Sequence, residues 1–438
     1  MQIAVIGTGY VGLVSGACLA HVGWNVTCLD RDSYKISKLR EGIMPIYEPG
    51  LEQIVNDSVA AGTLTFSDSP FDAIKGADII LIAVGTPTDP VTGKTDLSYI
   101  EGAVRDCAPF LKAHAILVTK STVPVGTGDF IKQTLTSLHP DIPFSIASNP
   151  EFLREGCAVS DCLKPDRIVI GSDDNHAKDR LAKLYEPFTR QGYPLVITHL
   201  RSAEMIKYAA NSFLAMKISF INEIANLCDV TGASIADVAY GIGLDPRIGS
   251  THLKPGPGYG GSCFPKDTIS FSHFAREHQH PLTLIEATIK ANHHHQHHLV
   301  NKIIQQCGGN LQGKIIAVWG LTFKAQTDDM RDSASLVIIP ELIRHGATIH
   351  AYDPQGMAHA KTMLPASVHF GTSPFDVATD ADAIVIITEW PEFYAVDLTQ
   401  LRSIMKHPLL IDLRNGFKRQ TMVQGGFNYM CIGEGATQ

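Results

Sequence analysis

At 438 residues the chain exceeds what one hydrophobic core holds, so two or three domains are expected. Hydrophobic residues make up 45% and charged residues 18%, an ordinary globular composition that excludes a disordered or fibrous chain. A formal net charge of −8 with no long basic tract argues against a nucleic-acid partner. The longest apolar runs, such as Ile79 to Val84, are too short to cross a bilayer, and the apolar N-terminus lacks a signal peptide's basic flank. A cytoplasmic chain with no membrane partner is expected. Nine scattered cysteines without a Cys-x-x-Cys pair argue against a disulfide framework or a structural zinc site.

Along the chain, Met1 to Ile6 reads as a buried strand. Gly7-Thr8-Gly9-Tyr10-Val11-Gly12 follows, then an amphipathic helix to about His21. Val26 to Leu29 is the next strand and ends at Asp30. Further buried-strand runs are Ile79 to Val84, Ala115 to Thr119, Phe144 to Ala147 and Ile168 to Ile170, with helical stretches between most of them. Such alternation implies a doubly wound parallel sheet. From Ser202 to about Val230 the period changes, with Met205, Ala209, Phe213, Met216, Phe220 and Ile224 recurring at three and four positions. A long helix packed on both sides is expected there. A helical middle follows, interrupted by a Pro/Gly loop from Lys254 to Gly261.

The opening pattern then returns. Lys314 to Val318 reads as a strand, Gly320 as a turn, Ser333 to Arg344 as a helix, and Thr348 to Tyr352 as a strand ending at Asp353. Ala383 to Ile387 and Leu409 to Asp412 extend it. The fold class expected is therefore α/β, with two Rossmann-like doubly wound domains joined by a central helical domain. The boundaries expected are 1–198, 199–300 and 301–438.

The first glycine run directly follows a strand and opens a helix, and Asp30 lies 23 residues after its first glycine. Gly7, Gly9 and Gly12 permit a tight turn and let a pyrophosphate approach the helix N-terminus. Asp30 suits the adenosine ribose hydroxyls and repels a 2′-phosphate, so NAD is expected over NADP. Arg31 and Lys35 leave some NADP tolerance open.

In Gly258-Tyr259-Gly260-Gly261-Ser262-Cys263-Phe264-Pro265-Lys266-Asp267 a cysteine stands in a glycine-rich loop with charge close behind it. That is the setting of a nucleophilic thiol. Cys18, Cys28, Cys107 and Cys228 read instead as small core residues. Lys207 and Asn211 share one helix face and suit either a solvent-reaching lysine or a pair of oxyanion donors. Glu151, after a strand end, suits either a helix cap or a general base. Lys120-Ser121-Thr122-Val123-Pro124 ends another strand and offers hydroxyls at the same edge.

Together these runs resemble the UDP-glucose 6-dehydrogenase family over essentially the whole chain. The motifs carrying the resemblance are the Gly7 fingerprint, Gly85-Thr86-Pro87-Thr88, Ser121-Thr122-Val123, Asn149-Pro150-Glu151-Phe152-Leu153, Lys207 with Asn211, the Cys263 loop, and Arg331. The resemblance implies oxidation of UDP-glucose to UDP-glucuronate with two NAD per sugar, through a thiohemiacetal and thioester on Cys263. It implies catalytic roles for Lys207, Asn211, Asp267, Glu151 and Thr122. At the cofactor it implies Tyr10, Val11, Lys35, Thr86, Ser121, Thr122, Glu155, Lys266 and Arg331 beside the glycines and Asp30. At the substrate it implies Glu151, Phe152, Leu153, Glu155, Lys207, Asn211, Arg247, Lys254, Tyr259, Gly260, Phe323, Lys324 and Arg414. Arg247 would come from a neighbouring subunit, so a homodimer through the central helix is implied.

The same chemistry on GDP-mannose or UDP-N-acetylmannosamine is the nearest alternative. A single-step hydroxyacid dehydrogenase with an incidental thiol, and a nucleotide-binding regulator without turnover, are more distant ones. His293, His294, His295, His297 and His298 crowd one helix and have no counterpart in the family mechanism. They read as a solvated helix face, and no metal is expected.

Overall fold

The computed structural model describes residues 1–89 and 91–435. Contacts within the chain divide it into two compact units, Met1–Ala210 with Ile269–His280 and Asn211–Thr268 with Pro281–Gln438.

The first unit holds a sheet of eight strands. They are β1 (Gln2–Ile6), β2 (Asn25–Leu29), β3 (Leu64–Ser67), β4 (Ile79–Ile82), β5 (Ala115–Thr119), β6 (Phe144–Ser148), β7 (Ile168–Gly171) and β8 (Leu195–Thr198). Their order is β3-β2-β1-β4-β5-β6-β7-β8. Neighbours pair in parallel except β6 and β7, which meet through Ser148 and Gly171 in antiparallel sense. Central strands such as β4 and β5 are buried throughout, because helices cover both faces. Ile3, Val5, Leu81 and Val118 point to one core cluster, and Ala4, Ile6, Ile80 and Leu117 to the other. The parallel run from β1 to β6 aligns the carboxyl ends of its strands on one edge, and ligand sites of α/β folds lie there. Gly7, Asp30, Thr86, Ser121 and Glu151 all follow such ends.

The second unit repeats the strand order. β9 (Ile315–Trp319), β10 (Thr348–Tyr352), β11 (His369–Phe370), β12 (Ala383–Ile386), β13 (Leu409–Asp412) and β14 (Asn428–Cys431) form a six-stranded parallel sheet in the order β11-β10-β9-β12-β13-β14. One face packs into a core that includes Ile221, Ala225 and Cys228 of the long helix and Leu299, Val300 and Ile303 of the histidine-bearing one.

The long helix runs from Leu200 to Thr231, and the helical region continues with Ile235–Gly243, Phe264–Glu277 and Thr283–Gln306. The expectation of packing on both sides is corrected. Met205, Phe213, Phe220 and Leu227 are exposed on the single chain, so its own core covers only the opposite side. A second correction concerns the histidines. His293, His294 and His297 face solvent as expected, but His295 and Gln296 are buried.

Candidate active site

In the first unit the glycine run forms the turn between β1 and the helix Tyr10–His21. Gly9, Tyr10 and Val11 begin that helix, and Gly9 O accepts from Leu13 N at 2.9 Å. The turn closes tightly, since a Cβ on Gly12 would stand 1.9 Å from Gly7 O. Its backbone therefore lies open to an anion, and the helix dipole favours one there. Asp30 accepts from Thr8 N at 2.9 Å, Thr8 Oγ1 at 2.6 Å and Lys35 Nζ at 3.0 Å, all on Oδ2. Burial opposes its charge, but the Thr8, Asp32 and Lys35 hydrogen bonds outweigh burial and hold the carboxyl below its ordinary range. Among the described residues Oδ1 takes only Asp32 N, at 3.1 Å, which leaves room for ribose hydroxyls. Arg31 is forked onto Asp106 instead, with Nη2 to Oδ2 at 2.6 Å.

Thr86 Oγ1 donates to Thr122 O at 2.9 Å, and Ser121 Oγ to Val84 O at 2.6 Å, so these expected cofactor residues form one strand-end cluster. Glu155 is buried one residue before Gly156, whose N–H reaches Tyr10 Oη at 2.9 Å. The turn and the 149–156 loop are thus tied together. Lys266 and Arg331, also expected at the cofactor, belong to the second unit.

Glu151 and Lys207 are both buried and form an ion pair, Nζ to Oε1, at 2.9 Å. Glu151 Oε2 also accepts from Leu153 N at 2.5 Å. Burial works against the anion, yet Lys207 and the Leu153 amide hold Glu151 below the usual carboxylate range. Lys207 therefore does not reach solvent, and Glu151 caps no helix. The ring of Phe152 lies under Arg167 at 3.5 Å and within 5.4 Å of Lys207 Nζ. Leu153 is half-buried beside it.

In the second unit Cys263 immediately precedes the helix Phe264–Glu277, and its carbonyl accepts from Asp267 N at 2.8 Å. The sulfur is partly exposed, beside Ser262 Oγ at 3.5 Å, at a helix end that favours negative charge. Asp267 is fully buried, takes Asn211 Nδ2 at 2.6 Å, and is paired with Lys266 at 2.8 Å. Cys18, Cys28, Cys107, Cys228, Cys307 and Cys431 are buried, Cys162 is partly exposed and Cys157 is exposed. Gly260 lies so close to the next loop that a Cβ would stand 2.2 Å from Asp332 O.

Phe323 carries its carbonyl to Arg414 Nη2 at 2.8 Å, while Arg414 Nε donates to Ile387 O at 2.7 Å. Arg414 thus supports the backbone of the Phe323-Lys324 loop, and Lys324 Nζ lies 5.5 Å from the Phe323 ring. Arg331 pairs with Asp329 at 2.7 Å. Tyr259 is buried and Lys254 exposed. Arg247, whose side chain is 87% exposed, pairs with its neighbour Asp245 at 2.6 Å.

Sequence reasoning missed Glu48. Buried, it bonds Tyr10 Oη and accepts from Gly156 N at 2.6 Å and Ala158 N at 2.7 Å. It also passed over Lys120, whose Nζ donates to Asn149 Oδ1 at 3.0 Å in a buried site. Glu204 was missed too; it accepts from Gly126 N at 2.7 Å and Gly128 N at 2.8 Å, and burial pushes its carboxyl up to about 7. Each is a polar residue whose partners are remote in sequence, and only the Pro49-Gly50 turn after Glu48 gave any local signal.

Three family models match in order: the NAD-binding domain of the UDP-glucose/GDP-mannose dehydrogenase family over 1–189, its central domain over 201–294 and its UDP-binding domain over 317–419. The chain belongs to the UDP-glucose/GDP-mannose dehydrogenase family. It is 48% identical to the UDP-glucose 6-dehydrogenase of Rhizobium meliloti over 99% of each chain. It is 46% identical to a UDP-glucose 6-dehydrogenase of Bacillus subtilis, over 100% of this chain and 98% of that one. A solved UDP-glucose dehydrogenase from Pyrobaculum islandicum superposes with a TM-score of 0.91 at 34% identity, covering 99% of this chain and 98% of that one. A UDP-D-ManNAc dehydrogenase from Pyrococcus horikoshii gives 0.88 at 29%, covering all of both. The chain is accordingly an NAD-dependent nucleotide-sugar dehydrogenase with a UDP-sugar substrate. The open Asp30 Oδ1 and the closed glycine turn fit that cofactor. No helix among the described residues is long and apolar enough to cross a membrane.

Proposed function

We propose that the chain oxidises UDP-glucose to UDP-glucuronate in two steps, with Cys263 as covalent catalyst and two NAD consumed per sugar. The observation that carries this reading is the partly exposed Cys263 at a helix N-terminus, followed by a buried Asp267 braced by Asn211 and Lys266. Bound NAD supplies the hydride acceptor for both oxidations. Thr122 and Asp267 are assigned to the water that takes the proton of the C6 alcohol. The aldehyde so formed has one hydrogen left on carbon, and direct removal of it as hydride would leave no stable product. Addition of the Cys263 thiolate to the carbonyl gives a thiohemiacetal, whose collapse with loss of that hydride gives a thioester. Water, aligned by Glu151, adds to the thioester carbonyl, releasing the carboxylate and the thiol.

Lys207 and Asn211 stand one turn apart on the long helix and are assigned to the oxyanions of these steps. One well-placed donor is worth roughly 3–4 kcal/mol. Lys207 gives one of its three N–H bonds to Glu151. Phe152, Leu153, Glu155, Lys254, Tyr259, Gly260, Phe323, Lys324 and Arg414 are assigned to substrate.

A homodimer through the central helix belongs to the same proposal. Phe213, Phe220 and Leu227 recur every seven residues on an uncovered side of the long helix, and the exposed Arg247, paired with Asp245 within this chain, is assigned to a second copy. Domains 1–198, 199–300 and 301–438 are the functional division we assign.

The test is NADH formed per limiting UDP-glucose. Two are expected, and one per sugar would reduce Cys263 to a bystander. Turnover only with GDP-mannose or UDP-N-acetylmannosamine would move the chain to that branch of the family.

A further inference from the structure

The stretch Gly256–Tyr259, four residues before Cys263, is irregular backbone lodged against two helices. Irregular buried backbone must find partners for its N–H and C=O groups outside any ladder. Here side chains supply them. Asn222 Oδ1, on the long helix, accepts from Gly256 N at 2.9 Å. His295, on the helix Thr283–Gln306, meets Gly256 O through Nε2 at 2.8 Å. Asn292, one turn earlier on that helix, accepts from Tyr259 N at 2.9 Å and donates to Tyr259 O at 3.1 Å. Asn226 Nδ2 lies 3.1 Å from His295 Nδ1.

Geometry settles the proton on His295. A carbonyl only accepts, so Nε2 carries hydrogen, and Nδ1 then accepts from the Asn226 amide. Burial keeps the ring neutral by pushing it down to about 4. Asn222, Asn292 and His295 are almost fully buried, and Asn226 is half-buried. Such a set costs desolvation and adds little apolar packing, so its benefit lies in fixing a shape.

We propose that His295, together with Asn222 and Asn292, is a positioning residue that holds the loop leading to Cys263 and thereby sets where the thiol stands. This rests on the reading of Cys263 as nucleophile. A displacement of about 1 Å costs on the order of 100-fold in rate when the reacting atoms must meet in line.

Three measurements on the full-length enzyme test it: steady-state kinetics with UDP-glucose and NAD, the rate of Cys263 alkylation by iodoacetamide, and NADH per sugar. For His295→Ala and Asn292→Ala, kcat is expected to fall about 100-fold. KM for NAD should stay within about twofold, and the alkylation rate should change. His295→Gln, which keeps an N–H for Gly256 O, should recover much of the loss, whereas the similarly bulky His295→Phe should not. Wild-type kcat and alkylation rate in His295→Ala and Asn292→Ala overturn the proposal, as does equal loss in His295→Gln and His295→Phe. If His295→Ala does not fold, Asn226→Leu removes only the amide that supports His295 at Nδ1 and is read by the same outcomes. Cys263→Ser separates the two readings. Two NADH per sugar from that variant sinks the thiol mechanism itself, while loss of the second oxidation there leaves the histidine result to decide the clamp.

Discussion

Asp30 and Asp353 each end the second strand of a sheet ordered as a Rossmann fold, and their surroundings differ completely. Asp30 is half-buried, and its Oδ1 has a single amide for company. Asp353 is fully buried, with every acceptor position taken. Its Oδ2 receives Leu321 N, Thr322 N, Thr322 Oγ1 and Trp390 Nε1 between 2.7 and 3.1 Å. Its Oδ1 receives Gln355 N at 2.9 Å and Gly356 N at 2.7 Å. The turns differ in the same sense. The first passes from β1 to its helix within a few residues, whereas the second inserts the loop bearing Phe323, Lys324 and Arg331 before the helix Ser335–Arg344. A shared topology therefore carries two trades: one acid left with an accessible oxygen, the other enlisted as an internal strut.

Mutating the strut should have the largest effect. Asp353→Ala strands several buried donors, at roughly 3–5 kcal/mol of stability. A urea melt is expected to show an early transition from the second unit, and an unchanged melt would mean that Asp353 is no strut. Asp30→Ala should do the reverse, leaving the melt nearly untouched. It weakens NAD by about 1.5–3 kcal/mol, or roughly 10- to 150-fold in Kd, measurable by fluorescence titration.

The pH dependence sharpens the contrast. Because Thr8 and Lys35 hold the folded carboxyl of Asp30 below its ordinary range, the anion persists as pH falls. NAD affinity should stay level down to about pH 4, the ordinary aspartate value, and fall only beneath it. A decline that begins near pH 6 would assign the titration to another group. The smallest effect is expected from Asp106→Ala, which releases the exposed Arg31. Stability should change by less than about 1 kcal/mol. The ratio of NADP to NAD turnover should rise a few-fold, and no rise would show that Arg31 does not read the 2′ position.

The buried central strands and the glycine turn were legible because each rests on local pattern: unbroken apolar runs, and glycine where no Cβ fits. The edge strands β3, β8, β11 and β14 were not. They are short and lie at the sheet margins: β3 and β8 run four residues, β11 only two, and β8 exposes Val196 and Ile197. The outward stripe of the long helix carries the same period as a buried one; sequence tells which residues share a side, not what covers it. Among site residues, Cys263 was visible from its glycine and charge neighbours. Glu48, Lys120 and His295 act through partners distant along the chain, and only the folded backbone reveals those partnerships.

The uneven exposure of the nine thiols has a bearing on durability. Six are sealed in cores, where oxidants and electrophiles arrive slowly, while Cys263, Cys162 and Cys157 are at least partly exposed. Peroxide is expected to convert Cys263 first to a sulfenic acid that dithiothreitol reverses, then to acids that it does not. Cys157 adjoins Gly156, whose amide bonds to the cofactor turn, so damage there should loosen NAD rather than stop bond-making. An oxidised preparation would thus age along two separable routes, one read in kcat and the other in KM for NAD.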